Sequence, residues 1–222
     1  MQKLVDLHTF STAVSPAELR QLEAQLSPAE LGRTGQFQFE ADRARYVVSR
    51  GMLRTILAGY LELSPDAVPL VAGIHGKPVI RAEERRGLHF NLSRARDLCV
   101  VVVGEGPELG VDIEAVRPLD DALAIAQSRF TPAEAASITS PESFFVLWTR
   151  KEAVVKCLGW GLSLPFDVFE VAARVGVEPE RVVVDYQGEH SVQWLQPIDI
   201  KDPGYLAAIA NSGEEPVVLQ RA

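Results

Sequence analysis

Two stretches carry side chains whose types and spacing could do chemistry on a phosphorylated substrate. In Leu109-Gly110-Val111-Asp112-Ile113-Glu114 apolar and acidic residues alternate. An extended chain therefore sends Val111 and Ile113 to one face and Asp112 and Glu114 to the other. Two carboxylates on one strand face repel each other. In a cleft they call for a cation; on an open surface they are simply solvated. The second stretch is Trp148-Thr149-Arg150-Lys151-Glu152-Ala153-Val154-Val155-Lys156. On a helix, Trp148, Glu152 and Lys156 run along one face, with Lys151 and Val155 beside them. A carboxylate flanked by two lysines can hold a metal and the phosphates it neutralises. A row of surface ion pairs has the same spacing. Taken together, Asp112, Glu114 and Glu152 with water and phosphate oxygens suit Mg²⁺, a hard cation with near-octahedral demands. Lys77, Lys151, Lys156 and Arg45 would balance a polyphosphate. Metal-assisted transfer of a phosphorus group fits, because that chemistry depends on positioning and charge neutralisation.

The surrounding pattern predicts the elements that must position these groups. Residues 3–10 alternate and predict a strand. Ser15-Pro16-Ala17-Glu18 and Ser27-Pro28-Ala29-Glu30 are capping boxes with Pro at the first helical position, so two short helices follow each other. Residues 40–61 predict a long helix whose polar side carries Arg43, Arg45, Arg50 and Arg54, as a solvated surface would. His75-Gly76-Lys77-Pro78 predicts a turn. Strands are expected at 79–81, 88–92, 98–103 and 109–114, the run Leu98 to Val103 reading as buried. Phe130-Thr131-Pro132-Ala133-Glu134 repeats the capping box, and a helix over 142–158 stops at Gly159. Strands are expected at 166–172, 181–186, 191–195 and 205–210. Ser27-Pro-Ala-Glu before one long helix and Thr131-Pro-Ala-Glu before another predict two similar α+β halves meeting face to face. The dividing point is expected at 105/106, giving 1–105 and 106–222.

Composition narrows the function classes. The chain has 222 residues, 47% hydrophobic and 23% charged, as in an ordinary globular protein. No apolar run reaches the ~18 residues needed to cross a bilayer, and Met1 to His8 lack a signal-peptide core. Cys99 and Cys157 sit far apart in apolar segments, which predicts reduced core thiols and a cytoplasmic location. A net charge of −8 argues against a nucleic-acid partner. Of only five lysines, Lys77, Lys151 and Lys156 fall in the stretches that could do chemistry. There is no Gly-x-x-x-x-Gly-Lys-Ser/Thr loop, no Gly-x-Ser-x-Gly elbow, and no zinc spacing among His8, His75, His89 and His190.

Gly110-Val-Asp112-Ile-Glu114, followed about forty residues on by Trp148-Thr-Arg-Lys151-Glu152-Ala-Val-Val-Lys156, resembles the 4′-phosphopantetheinyl transferases of the surfactin-synthetase-activating type. Gly76-Lys77-Pro78, Phe90-Asn91-Leu92-Ser93, the Arg45 segment and Gly159-Trp-Gly-Leu162 match further motifs in order. The resemblance covers roughly residues 25–170. It implies pseudo-two-fold α+β halves, with coenzyme A in the cleft between them and an apo acyl or peptidyl carrier protein as acceptor. It implies Mg²⁺ on Asp112, Glu114 and Glu152, and Lys151 and Lys156 on the diphosphate, with Glu152 and Lys156 catalytic. Arg45, Lys77, Pro78 and Ser93 would take the adenosine and 3′-phosphate end. Arg94 stands where the family usually has His, and Arg is a permanent, fork-shaped phosphate donor. Glu30 stands where many members have a basic residue, leaving Arg33 as the cation of that loop. The carrier is expected to dock through the segment between Glu114 and Phe130 and the second half, and two internal halves make a monomer sufficient. A coenzyme A-binding module without transfer activity, or a Mg²⁺-dependent phosphohydrolase, would use the same anion-binding groups. The presence of all three acids favours the transferase over the first of these.

Overall fold

Four of the helix starts are closed by the capping boxes, at Ser15, Ser27, Thr131 and Ser140. At each, the side-chain oxygen accepts the N3 amide, which would otherwise have no helical partner. The computed structural model describes residues 3–73, 76–174, 176 and 178–222. Met1, Gln2, and His75 of the expected turn lie outside the described residues.

The first half runs β1 (Leu4–Ser11), α1 (Pro16–Glu23), α2 (Pro28–Thr34), α3 (Glu40–Leu61), β2 (Leu70–Ala72), β3 (Pro78–Ile80), β4 (Leu88–Ala95) and β5 (Leu98–Glu105). The second half repeats the plan: β6 (Leu109–Ala115), α4 (Ala122–Arg129), α5 (Pro132–Ala136), α6 (Pro141–Leu158), β7 (Glu180–Tyr186), β8 (Glu189–Ile198) and β9 (Tyr205–Asn211). In each half a strand is followed by two short helices and a long one. The last strand then returns antiparallel to the first, β5 on β1 and β9 on β6. The expectation of two similar α+β halves is met. A final strand, β10 (Val218–Arg221), pairs parallel with β1 and so returns the end of the chain to the first sheet, ordered β10-β1-β5-β4. The second sheet is ordered β6-β9-β8-β7.

The two four-stranded sheets lie between the two long helices, and β2 and β3 pair as a separate hairpin. Val5, Leu7, Val100 and Val102 of the first sheet pack against Val111, Ile113, Ala207 and Ile209 of the second. The opposite faces meet the helices: Val101 and Val103 meet Leu53 and Leu57 of α3, while Ala208 and Ala210 meet Ala153 and Val154 of α6. Strand β5 is thus buried on both faces, which accounts for its unbroken valine run. An amphipathic sheet alone must bury its apolar face against something, and here each sheet uses the other.

One expected strand is absent. Residues 166–168 form a single 3₁₀ turn, and Phe169 and Val171 are buried without a ladder. The carbonyls of Phe166 and Phe169 accept hydrogen bonds from Lys151 instead. Helix α4 and strand β10 carry no strong periodic signal and were not expected.

Truncation after Pro216 removes the buried Val217 and the strand that covers β1. The expected outcome is a loss of about 2–4 kcal/mol of stability, read as a lower urea midpoint at unchanged slope.

Candidate active site

The site begins with a close approach of α6 to β6. A Cβ on Gly110 would collide with the Ala153 carbonyl and the Cys157 amide. Glycine at this position therefore lets the helix lie directly on the strand, beside Asp112. Helix α6 ends at Gly159, whose φ of +74° is the left-handed conformation that glycine adopts without a Cβ penalty.

Side chains on β6 divide as the alternation requires. Val111 and Ile113 enter the apolar seam between the sheets, and Asp112 and Glu114 turn toward α6. Asp112 is buried, and its Oδ1 accepts from Lys156 Nζ at 2.6 Å and from Ser93 Oγ at 2.7 Å. Lys156 Nζ also donates to Ser93 Oγ at 3.0 Å. The other Asp112 oxygen, Oδ2, is buried with no hydrogen-bond partner. A buried carboxylate oxygen without a donor is costly, and this one is an acceptor suited to a cation. Among the described residues no three Asp, Glu, His or Cys side chains stand close enough to hold a metal ion together. The Lys156 ammonium neutralises Asp112 instead.

Glu152 and Glu114 complete the acidic face. Burial pushes the Glu152 carboxyl above its ordinary range; the charges of Asp112 and Glu114 push the same way, against the pull of Lys156. Burial and Asp112 likewise raise Glu114, while Arg117, 3.4 Å from its Oε2, opposes them. Arg117 also lies over the Phe145 ring, 4.7 Å from its centroid. The charges of the three carboxylates are mutually unfavourable, and of the three only Glu152 lines the adjoining cavity. A divalent cation would relieve that repulsion, and carboxylate oxygens are the donor type that Mg²⁺ takes.

Glu152 and Lys156 line a cavity of about 250 Å³ together with Lys77, Pro78, Asn91 and Leu92 of the first half. The cavity therefore lies between the halves. At Gly76 and Pro78 it adjoins a second cavity of about 190 Å³, lined by Arg33, Tyr46 and Arg50 among others. The Arg33 and Arg50 guanidiniums each lie 5.7 Å from the Tyr46 ring centroid. Arg50 had only a generic signal in the sequence, as one of four arginines on α3. A larger cavity of about 520 Å³ lies elsewhere in the second half, beside Val146, Ile198 and Tyr205, and none of the three acids lines it.

Several expected roles change. Lys151 was expected on the diphosphate, yet its side chain is 0% exposed. Its ammonium pairs with Glu134 at 2.8 Å, donates to the Phe166 and Phe169 carbonyls at 2.6 Å, and faces the Phe169 ring at 4.3 Å. The residue next to Glu152 on a helix points about 100° away, and here that direction is the core of the second half. Glu134 in turn accepts the Thr131 and Val171 amides, so Lys151 ties α6 to the cap of α5 and to the loop beyond Gly159. Ser93, expected at the 3′-phosphate, belongs to the Asp112–Lys156 cluster. Arg54, expected on the solvated side of α3, is 1% exposed. It pairs with Glu30 at 2.7 Å and donates to the Pro65, Asp66 and Val68 carbonyls. Glu30 is thus the counter-ion of a buried arginine, which explains an acid where a base is usual. Arg45 is on the exposed side of α3, paired with Asp42 and Asp97 at 3.2 Å. Arg94 is exposed and donates to Ser49 Oγ at 3.1 Å. Trp148 packs among Phe130, Phe144 and Phe166.

Lys151→Met leaves the Glu134 carboxylate buried without its cation. It is expected to cost about 3–5 kcal/mol, and adding Glu134→Gln should recover much of the loss. Equal urea midpoints for the single and double variants would refute the pairing.

Comparison with known proteins agrees with this geometry. Residues 108–210 match a family described as the 4′-phosphopantetheinyl transferase superfamily, and residues 13–106 match one described as 4′-phosphopantetheinyl transferase, N-terminal. The chain is 32% identical over 204 residues to 4′-phosphopantetheinyl transferase HetI of Nostoc sp., covering 89% of this chain and 83% of that protein. It is 28% identical to 4′-phosphopantetheinyl transferase ffp of Bacillus subtilis and 25% identical to Sfp of the same species, each alignment covering 88% of this chain and 86% of the relative. With its acids and lysine gathered at the seam of two similar halves, the chain belongs to the 4′-phosphopantetheinyl transferase superfamily.

Proposed function

We propose that the cleft between the halves binds coenzyme A and transfers its 4′-phosphopantetheine to a serine of an apo acyl or peptidyl carrier protein, releasing 3′,5′-ADP. Membership in the superfamily supports the transfer and both partners. The single observation that carries the site assignment is the buried Asp112, bonded to Lys156 and Ser93, with one oxygen left without a donor.

Asp112, Glu114 and Glu152 are the residues that would hold Mg²⁺. When bound, the ion neutralises charge on the diphosphate. Lys156, partly exposed at the cavity wall, is placed to donate to the same diphosphate, and Ser93 Oγ stands beside it. The attacking serine oxygen forms a bond to the pantetheine phosphorus as the bond to 3′,5′-ADP breaks. Glu152 accepts the serine proton directly or through a water. The adenosine and 3′-phosphate end takes the adjoining cavity, where Arg33 and Arg50 supply positive charge beside the Tyr46 ring. Arg45, half-buried on α3, and Arg94, exposed on β4, stand on neighbouring elements. The carrier docks on the second half near α4, where Leu123 is 51% exposed while Leu119 and Ile125 are partly packed into the core. The halves divide near 105/106, and a monomer acting in the cytoplasm suffices. No helix of the described residues is long and apolar enough to cross a membrane.

Incubation with coenzyme A, Mg²⁺ and apo-carrier proteins should give a carrier heavier by one phosphopantetheine; no adduct on any of several carriers would overturn the function. Asp112→Ala should abolish transfer, and Glu152→Gln should lower it about 10²–10⁴-fold.

Glu152→Gln should also stabilise the metal-free protein at pH 8. A carboxyl whose proton affinity is raised on folding lowers stability once pH rises past its unfolded value. The variant should therefore melt higher than the wild type at pH 8, and the gap should close below the ordinary carboxylate range. A wild type as stable as the variant at pH 8 would refute the shift.

A further inference from the structure

Strand β6 is the edge of its sheet. One side of it pairs with β9, and the other looks across the seam toward β4. In an extended strand the amide and carbonyl of a given residue point to the same side, and alternate residues point to opposite sides. Leu109 and Val111 share the free side. Two groups on that side are taken by side chains of the first half. The Val111 amide donates to Asn91 Oδ1 at 2.8 Å, and the Leu109 carbonyl accepts from Lys77 Nζ at 3.0 Å.

The same Lys77 ammonium donates to the Lys156 carbonyl at 2.9 Å. That carbonyl is in the last turn of α6, where the helix offers no partner of its own. A cation is also favoured there by the helix dipole. The third neighbour of the ammonium is the Glu108 carboxylate at 3.6 Å, itself held by His89 at 3.0 Å. The Lys77 side chain is 15% exposed. Two of its donors are committed to carbonyls within the protein and its remaining side faces Glu108, and the two carbonyls belong to the two elements that carry the acids.

We propose that Lys77 and Asn91 are positioning residues for the transfer. Lys77 fixes α6 against β6 through the Lys156 and Leu109 carbonyls, Asn91 fixes β6 against β4, and Lys77 does not read the 3′-phosphate. A shift of α6 along β6 would move Glu152 and Lys156 away from Asp112. A shift of β6 from β4 would move Asp112 away from Ser93. Gly110 lies between the two contacts, where α6 already presses on the strand, so the strand is held from both sides.

The inference rests on the proposed transfer, and the test separates the two. Transfer by the wild type is measured with coenzyme A and with 3′-dephospho-coenzyme A, then for Lys77→Met and Asn91→Ala. Both variants should lose kcat about 10–100-fold, the range for residues that orient ligating groups. The ratio of kcat/KM for the two substrates should stay at the wild-type value, because neither residue contacts the phosphate that distinguishes them. Collapse of that ratio toward one in Lys77→Met would overturn the inference and make Lys77 a phosphate ligand. An unchanged kcat in both variants would overturn it as well. Should Lys77→Met fail to fold, Lys77→Arg, which keeps the charge but misplaces the donors, carries the same comparison. A wild type that transfers to no carrier would count against the function. The ratio of Kd values for the two coenzymes, compared between wild type and variant by calorimetry, would then decide the role of Lys77: an unchanged ratio supports it, and a collapsed ratio overturns it.

Discussion

A buried carboxylate held between two halves of one chain is the constraint on which the rest depends. Asp112 is out of water, and it is held there by a lysine from α6 and a serine from β4. Breaking such a buried pair by removing one partner is costly. The strand, the helix and the opposing half must therefore all stay in register. The two nearby glutamates worsen the local electrostatics, as their raised proton affinities record. This is the pattern of a functional site in which stability is given up locally and recovered elsewhere.

The recovery lies in the duplicated fold. Each half has a sheet with a helix on one face and an apolar surface on the other. Joining the two surfaces buries Val100, Val102, Val111, Ile113 and Ile209 together. The same join brings the edges β4 and β6 alongside, so the apolar seam and the polar site come from one packing event. Strand β10 adds a tie between the halves by carrying the end of the chain back to β1.

Much of this was legible in the sequence, for reasons that are local. Capping boxes announce helix starts because an oxygen at the cap and a glutamate at N3 satisfy amides within one turn. Alternation in Val111 to Glu114 separates core from site because a strand has period two. The apolar run of β5 signals burial on both faces. The missing elements had weak local signals. Segment 166–172 has strand-like composition, but two of its carbonyls are taken by a lysine from a helix. Strand β10 is short and lies at the sheet edge.

The charged residues mark the boundary between what sequence and tertiary structure each decide. Sequence by itself determined which residues are available: three acids with the right spacing, few lysines, and arginines along one helix. Spacing places side chains on faces of their own elements, since it follows from backbone geometry alone. It does not say which face meets water, core or the other half. Lys151 and Lys156 differ by five positions on one helix, yet one is sealed in the core on Glu134 and the other meets Asp112 at the cleft. Arg50 and Arg54 differ by four, yet one lines a cavity and the other is buried on Glu30. Those outcomes depend on partners from distant segments. Only the packing of the halves decided them, because the free energy of a charge is set by what surrounds it.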